Sequence, residues 1–459
     1  MQATANTYLK YIDLILLENW SVQGLLDAKF NYSNKYDQAK IGDFLIKSRN
    51  IVNIEDDKEY NRVTVKINNN GVILRDTEKG VNIGTKKQYR ANAGQFIISK
   101  IDARNGAFGI IPIELDNAIV TNDFPLFDVN TKKINPQFLL LITTTKVFIK
   151  FAQSCSSGTT NRQRMDIDMF LNQKIPLPKL EEQDKIVTNY LNKINEAERL
   201  KGEVEDLEDE IERYLFDELG ISKKNKENKK EVGFQLIDFM NIQEWGLDKI
   251  LSNSVKNSTK YTLTSIEENP QLAIDLSRGK SPKYKDGTGS FVLNQKCNRW
   301  NNIDLSFVKS VDEEWLKSIN KNNLTKEADV LINSTGEGTI GRATYIKKEY
   351  EGLLYDSHLL LLRLDQRKIN PELFVEVFNS EYGQNQVNDI KSAQATKQTE
   401  LGTSNLARIQ FPLPDDMEVQ NRIVSKIKEI RFEKLKRTDT ASTLTKESKL
   451  EFEKIIFNS

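Results

Sequence analysis

The sequence predicts an α+β chain made by duplication. Two similar mixed domains are each followed by one long helix, and the two helices pair as an antiparallel coiled coil about a pseudo-two-fold axis. Three observations predict this. Lys133-Ile134-Asn135-Pro136 returns as Lys368-Ile369-Asn370-Pro371 at a shift of 235 residues, and Ile175-Pro176-Leu177-Pro178 returns as Phe411-Pro412-Leu413-Pro414 at 236. Gln183 with Ile186-Val187 returns as Gln420 with Ile423-Val424 at 237, while Trp20, Lys35-Tyr36 and Ile41 match Trp245, Lys260-Tyr261 and Ile266 at 225. Register that drifts this little marks one large unit copied once, since a solenoid repeats every ~20–50 residues. Within each copy, strand-like and helix-like stretches alternate; after each Pro-Leu-Pro comes a long proline-free amphipathic pattern.

The elements follow in order. In the first domain, residues 1–178, the first ~35 residues read as an added helical element carrying Trp20. Arg62–Asn68 alternates apolar and polar, then Asn69-Asn70-Gly71 turns the chain into Val72-Ile73-Leu74, a hairpin signal. Phe96–Ile98 reads as a buried strand and Pro136–Lys150 as a helix. Residues 179–220 form the first long helix: Ile194, Ala197, Leu200, Val204, Leu207, Ile211 and Tyr214 fall at steps of mostly three and four, with Gly220 placed to cap the C-terminus. At ~1.5 Å per residue such a helix reaches roughly 60 Å.

Residues 221–232, rich in lysine and asparagine, read as a tether. The second domain, 233–414, repeats the pattern, with Val330–Ile332 as a buried strand and Pro371–Asn379 as a helix. Residues 415–459 form the second long helix, whose stripe is Ile423, Ile427, Ile430, Ala441, Leu444 and Ile455.

Net charge is zero over 459 residues but unevenly spread. Residues 1–180 carry 24 Lys/Arg against 18 Asp/Glu, whereas residues 181–219 carry 5 against 14. A basic first domain is thus masked in the total by an acidic helix, which permits a phosphate-binding surface there. The longest apolar runs, such as Phe138–Ile142, fall far short of the roughly 20 residues of a membrane span, and the N-terminus lacks a signal-peptide pattern. Two distant cysteines, Cys155 and Cys297, suit a reducing cytoplasm and offer no disulfide framework.

Catalytic constellations are missing from the sequence. The one histidine, His358, lies beside a leucine run and reads as structural or surface, and no phosphate-loop motif occurs. Gly336, Gly338 and Gly341 fit Gly-x-Gly-x-x-Gly by letter, but Arg342–Ile346 after them reads as strand where a dinucleotide site needs a helix. No metal-ligand spacing and no methyltransferase Asn/Asp-Pro-Pro-aromatic motif is present, so binding is the expected role.

Ile175-Pro176-Leu177-Pro178-Lys179-Leu180-Glu181-Glu182-Gln183 resembles the conserved-region signature of specificity (S) subunits of type I restriction–modification systems. Ser99–Gly109 looks like the central motif of one class of target recognition domain and Asp329–Gly341 like that of another; Ser157-Gly158-Thr159-Thr160 also fits. The second junction, Asp415–Gln420, is the weaker match. The resemblance covers nearly the whole chain and implies a subunit without catalysis of its own. It implies two target recognition domains that each read one half of a split double-stranded DNA site, with the helices fixing their separation. It further implies two methyltransferase (modification) subunits and restriction/translocase subunits as partners. S-adenosylmethionine, ATP and Mg would serve those partners, with no cofactor in this chain. Two other readings use the same residues: the binding subunit of a combined cleavage-and-methylation enzyme, or a coiled-coil scaffold that does not bind DNA.

Groove readout needs hydrogen-bonding side chains on exposed loops, and phosphate contact needs lysine and arginine. The candidates in the first domain are Lys86, Lys87, Tyr89, Arg90, Lys100, Arg104, Asn105, Thr160, Arg162, Gln163 and Arg164. In the second they are Arg278, Lys280, Lys283, Tyr284, Lys285, Asn333, Ser334, Thr335, Thr396, Lys397 and Gln398.

Overall fold

Phe96, Ile97 and Ile98 are fully buried and form a central strand of a four-stranded antiparallel sheet, in the spatial order Leu45–Lys47, Leu126–Val129, Phe96–Ile98, Phe108–Ile110. A second sheet has the same order and the same antiparallel pairing: Ala273–Arg278, Leu359–Leu364, Asp329–Asn333, Ala343–Tyr345. Both strands read as buried from their unbroken apolar runs are therefore central ones, the position where such runs belong. The computed structural model describes residues 31–157, 164–222, 259–320, 323–336, 338–392 and 400–457. Trp20, Trp245, Thr160, Arg162, Gln163, Thr396, Lys397, Gln398 and residues 223–232 of the tether lie outside them.

The chain divides into two compact units, one comprising residues up to Leu200 together with Asp439 onward, the other Lys201–Thr438. Beside its main sheet the first unit carries a five-stranded sheet, Ile51–Asn53, Lys87–Ala91, Ala118–Val120, Glu59–Val65 and Val72–Lys79 in spatial order. The second carries a three-stranded one of Lys309–Ser310, Phe291–Leu293 and Leu354–Tyr355. The duplicated frame is thus shared and the added sheets differ.

Two elements depart from the sequence expectation. The hairpin strand ends at Val65 rather than Asn68, because Asn68 and Asn69 turn to positive φ (58° and 59°), where their backbone N–H groups donate to the Asn105 and Gly106 carbonyls. The expected helix Pro136–Lys150 is two helices, Pro136–Thr143 and Lys146–Ser154. Thr145 breaks it: its extended backbone (φ −69°, ψ 147°) starts a new helix and its Oγ1 accepts from Phe148 N–H. Pro371–Asn379 and the strand after the glycine-rich turn, Ala343–Tyr345, match expectation.

Asn-Pro begins a helix twice, and the reason is visible in both units. Asn135 and Asn370 are N-caps whose side-chain oxygens accept from two backbone N–H groups, with proline at the first helical position, where no donor is lost. Each is also held by a buried glutamine from the start of a long helix. Gln183 Oε1 accepts from Asn135 N–H (2.8 Å), and its Nε2 donates to the Pro178 (2.9 Å) and Lys133 (3.2 Å) carbonyls. Gln420 does the same with Asn370 N–H (2.7 Å), Pro414 (2.8 Å) and Lys368 (3.2 Å). Both glutamines are wholly buried. The three repeated motifs are therefore the parts of one lock joining Pro-Leu-Pro, helix start and Asn-Pro cap. The Pro-Leu-Pro segments also tie the domain ends together, Lys174–Pro176 pairing with Gln38–Lys40 and Phe411–Pro412 with Leu263–Thr264.

The long helices span Leu180–Leu219 and Met417–Ile456, 40 residues each. Gly220 follows the first at φ 66°, the left-handed turn that favours glycine. In the first unit Lys193 meets Glu451 (2.7 Å) and Glu447 (3.7 Å), and Ala197 and Leu200 pack on Ala441 and Leu444. In the second, Glu203 meets Arg437 (3.0 Å), Lys434 meets Glu208, and Arg422 meets Glu218 (3.0 Å). Numbers rise on one helix as they fall on the other, so the pairing is antiparallel in each unit.

The seam is not a uniform heptad. Leu207, Ile211, Leu215 and Leu219 are buried at steps of four and join the second unit's core with Ile423, Ile427, Ile430, Val330 and Leu360. Ile186, Val187, Phe452 and Ile456 likewise join the first unit's core. Each unit's core is thus closed by the start of one long helix and the end of the other. Ile194, Val204 and Leu444 of the expected stripe are only half-buried, and Ile456 rather than Ile455 is the buried residue at the end. The departure has a physical reason: wherever a helix also packs on a sheet, a wider apolar face than an a/d seam is needed.

Candidate nucleic-acid interface

Beyond the ends of the two central strands, each unit brings three loops together. In the first, the chain leaves Ile98 into a turn in which Asp102 and Ala103 donate backbone N–H groups to Ser99, and a short 3-10 turn, Ala103–Asn105, carries Arg104. Lys100 N–H donates to the Asp123 carbonyl (2.9 Å) and Met165 N–H to the Lys100 carbonyl (2.9 Å), joining the loops of residues 99–105, 121–125 and 164–165. Arg164 makes a two-pronged contact with the Asp123 carboxylate (3.0 and 3.2 Å), which holds that carboxyl below its ordinary value. Burial, with Lys47 and Arg164 nearby, lowers the Lys100 ammonium. Lys47 and Arg49 are exposed at the end of the neighbouring edge strand. Against Asp102 and Asp123 the site gathers Lys47, Arg49, Lys100, Arg104 and Arg164, a surface suited to phosphate.

The second unit repeats this backbone with other side chains. Ser334 N–H donates to the His358 carbonyl (2.9 Å), and Leu401 N–H to the Ser334 carbonyl (2.8 Å). Arg278 donates from Nε to the Ser357 carbonyl (2.6 Å) and pairs with Glu400. His358 is exposed, its Nδ1 2.7 Å from Thr335 Oγ1, and its backbone N–H donates to the buried Asp356 carboxylate (2.9 Å), whose carboxyl is raised by burial. Gly279 is required here, since a Cβ would lie 2.0 Å from the Asp356 carbonyl oxygen. This site is close to balanced in charge.

The structure sorts the sequence candidates. Lys100, Arg104, Asn105 and Arg164 come together in the first unit, and Arg278, Thr335, Lys280 and Tyr284 flank the second site, with the Lys280 backbone forming a parallel β-bridge with that of Asp356. Asn333 and Ser334 are corrected: both are fully buried and spend their side chains on structure. Asn333 donates to the Gln295 and Thr339 carbonyls and accepts from Asn298, while Ser334 Oγ donates to the Leu401 carbonyl. Lys86 is held by Asp56 (2.5 Å) and the Gly80 carbonyl, Arg90 by Asn117, and Lys285 by Asp312 (3.1 Å). With Lys87 and Tyr89, Lys86 and Arg90 lie on or beside a strand of the five-stranded sheet, in which Tyr89 pairs with Val120 just before the 121–125 loop. Lys283 and Tyr284 are exposed, with Lys309 over the Tyr284 ring.

Lys47, Asp123, His358 and Glu400 were not singled out for this site from sequence. The signal that finds the last three is the same shift as in the motifs: Asp123 and His358 are 235 apart, Arg164 and Glu400 236. Trp300 is exposed, with Arg342 against its ring. Among the described residues no cluster of metal-ligating side chains occurs, and no helix is long and apolar enough to cross a membrane.

Two copies of one sheet frame, joined by two long helices and ending in loops that present different side chains, define a modular binding protein. The model of the type I restriction modification DNA specificity domain matches residues 34–205 and 276–444, and the chain belongs to that family. No curated protein sequence matches. Among solved structures, a chain from work on complex assembly and conformational transition of the type I R-M system is similar over 93% of this chain and 99% of its own, at 16% identity and a TM-score of 0.57. The S subunit of a type I restriction–modification system from M. genitalium matches at 12% identity, covering 95% and 98%, with a TM-score of 0.48. The HsdS subunit from Thermoanaerobacter tengcongensis matches at 14% identity, covering 93% and 97%, with a TM-score of 0.47.

Proposed function

We propose that this chain reads a bipartite, asymmetric double-stranded DNA target, one half-site per unit, and directs methyltransferase and restriction subunits to it without performing chemistry itself. The observation that carries the reading is the pairing of a constant frame with divergent loop ends in a chain of the DNA specificity family. Two identical readers would select a palindrome, whereas two different ones select two different half-sites. The basic site of the first unit and the balanced one of the second support different mixtures of phosphate and base contact. The long helices, shared between both units, supply the spacing and a surface for two methyltransferase subunits. S-adenosylmethionine, ATP and Mg act in the partner subunits, and the complex works in the cytoplasm.

The test is selection from duplexes with a randomised stretch, using the full chain with a modification subunit from the same genome. A split motif with a constant gap is expected. A stable complex that enriches no motif would replace this reading with that of a scaffold.

A further inference from the structure

The internal duplication allows each unit to serve as the control for the other. At the lock, backbone and side chains are both kept: Gln183 and Gln420, Asn135 and Asn370, Pro178 and Pro414, Lys133 and Lys368 occupy the same roles. Beyond the central strands, the backbone alone is kept. The donation from residue 100 to the carbonyl of 123 recurs as 334 to 358, and that from 165 to 100 recurs as 401 to 334, within 0.1 Å in length. At these matched positions the side chains differ in charge. Asp123 is replaced by His358, and Arg164 by Glu400.

A structural demand at these positions would have kept the charges, as the lock kept its glutamines. The same backbone bonds form in both units whichever charges stand there, so the loop conformation does not dictate the side chains. All four reach solvent in part or fully, unlike the neighbouring Ser334. Resting on the DNA-target reading, we infer that Asp123 with Arg164 in the first unit, and His358 with Glu400 in the second, are specificity-determining residues for the two half-sites. Each pair offers opposite chemistry to a base edge. The arginine is a forked donor that matches the guanine O6/N7 edge, and Asp123 aims the fork. The glutamate is an acceptor that matches an amino group such as cytosine N4, and Arg278 on the adjacent strand aims it. His358, with Nδ1 against Thr335, has its second ring nitrogen available as a donor or acceptor.

The experiment is the randomised-duplex selection repeated with full-length Arg164→Gln and Glu400→Gln, alone and with modification subunits. Lys132→Ala and Lys348→Ala, at exposed positions outside both sites, serve as controls. Arg164→Gln is expected to change base preference in one half of the motif only, Glu400→Gln in the other half only, and the controls in neither. The unchanged half reports within the same experiment that the variant is folded. Unaltered motifs for both variants would overturn the inference while leaving the DNA reading intact, as would either variant degrading both halves together. A wild-type chain that enriches nothing removes the DNA reading and this inference with it.

Discussion

Replacing Gln420 by leucine keeps the volume of a wholly buried side chain and deletes its hydrogen bonds. Three backbone partners lose their bond: Asn370 N–H at 2.7 Å, the Pro414 carbonyl at 2.8 Å and the Lys368 carbonyl at 3.2 Å. Each buried group left unpaired costs about 1–3 kcal/mol, so the three together cost roughly 3–9 kcal/mol. The added apolar surface offsets about 1 kcal/mol of that. The net loss of ~2–8 kcal/mol falls on the junction between the second long helix and the Pro371–Asn379 helix. Hydrogen exchange read by mass spectrometry localises it. Peptides over residues 369–378 and 421–428 should exchange at least about tenfold faster, since ~1.4 kcal/mol is a factor of ten. Gln183→Leu should produce the same change over residues 134–142 and 184–190. Unchanged protection in these segments for either variant would refute the lock.

Three further outcomes are expected. Glu376 is buried against Arg431 and its carboxyl is raised, burial being the larger influence and Arg431 opposing it. A raised carboxyl binds its proton more tightly in the folded chain, so stability falls as pH climbs from the ordinary carboxylate range through the raised value. Glu376→Gln should flatten that slope in urea titrations; an unchanged slope contradicts the assignment. Arg431→Met leaves the carboxylate unpaired and should cost about 3–5 kcal/mol at neutral pH, a cost that shrinks on acidification; an equal cost in acid and alkali would be the contrary result. Cys155 and Cys297 are buried, the first thiol pushed up to about 12 and the second also raised by burial. Iodoacetamide should leave both unlabelled in the native chain and label both in urea, and rapid native labelling would show that the cores open.

The duplication was legible because the lock needs particular residues. A buried glutamine with three fixed partners tolerates no substitute, so Gln183 and Gln420 stand out even where their neighbours differ. The buried central strands and the long helices were legible from apolar runs and periodicity. The break at Thr145 was not, because Thr144 and Thr145 carry no proline or glycine and the decision lies in a side-chain cap. The wide face of Leu207–Leu219 was not read fully either: steps of three and four suit a helix partner, and only the sheet behind it demands Leu215 and Phe216 as well. At the candidate interface, composition favoured positive and amide residues, which picked out Lys100, Arg104 and Arg164, brought together by the loops, but also Asn333, whose amide is consumed inside the fold. Asp123, His358 and Glu400 escaped that filter because their role depends on position in a shared backbone. Sequence chemistry alone does not display it until the two copies are laid on one another.

Two different readers in one chain should address two half-sites at a fixed separation. Co-expressing the chain with a modification subunit from the same genome and mapping methylated adenines along the host DNA by long-read sequencing measures this. One split motif with unlike halves and a constant gap is expected. Inserting one heptad into both helices, beside Leu200 and Ala441, should lengthen that gap by about three base pairs, given ~1.5 Å per helical residue and ~3.4 Å per base pair. A continuous motif, a palindrome, or a gap indifferent to the insertion would contradict it.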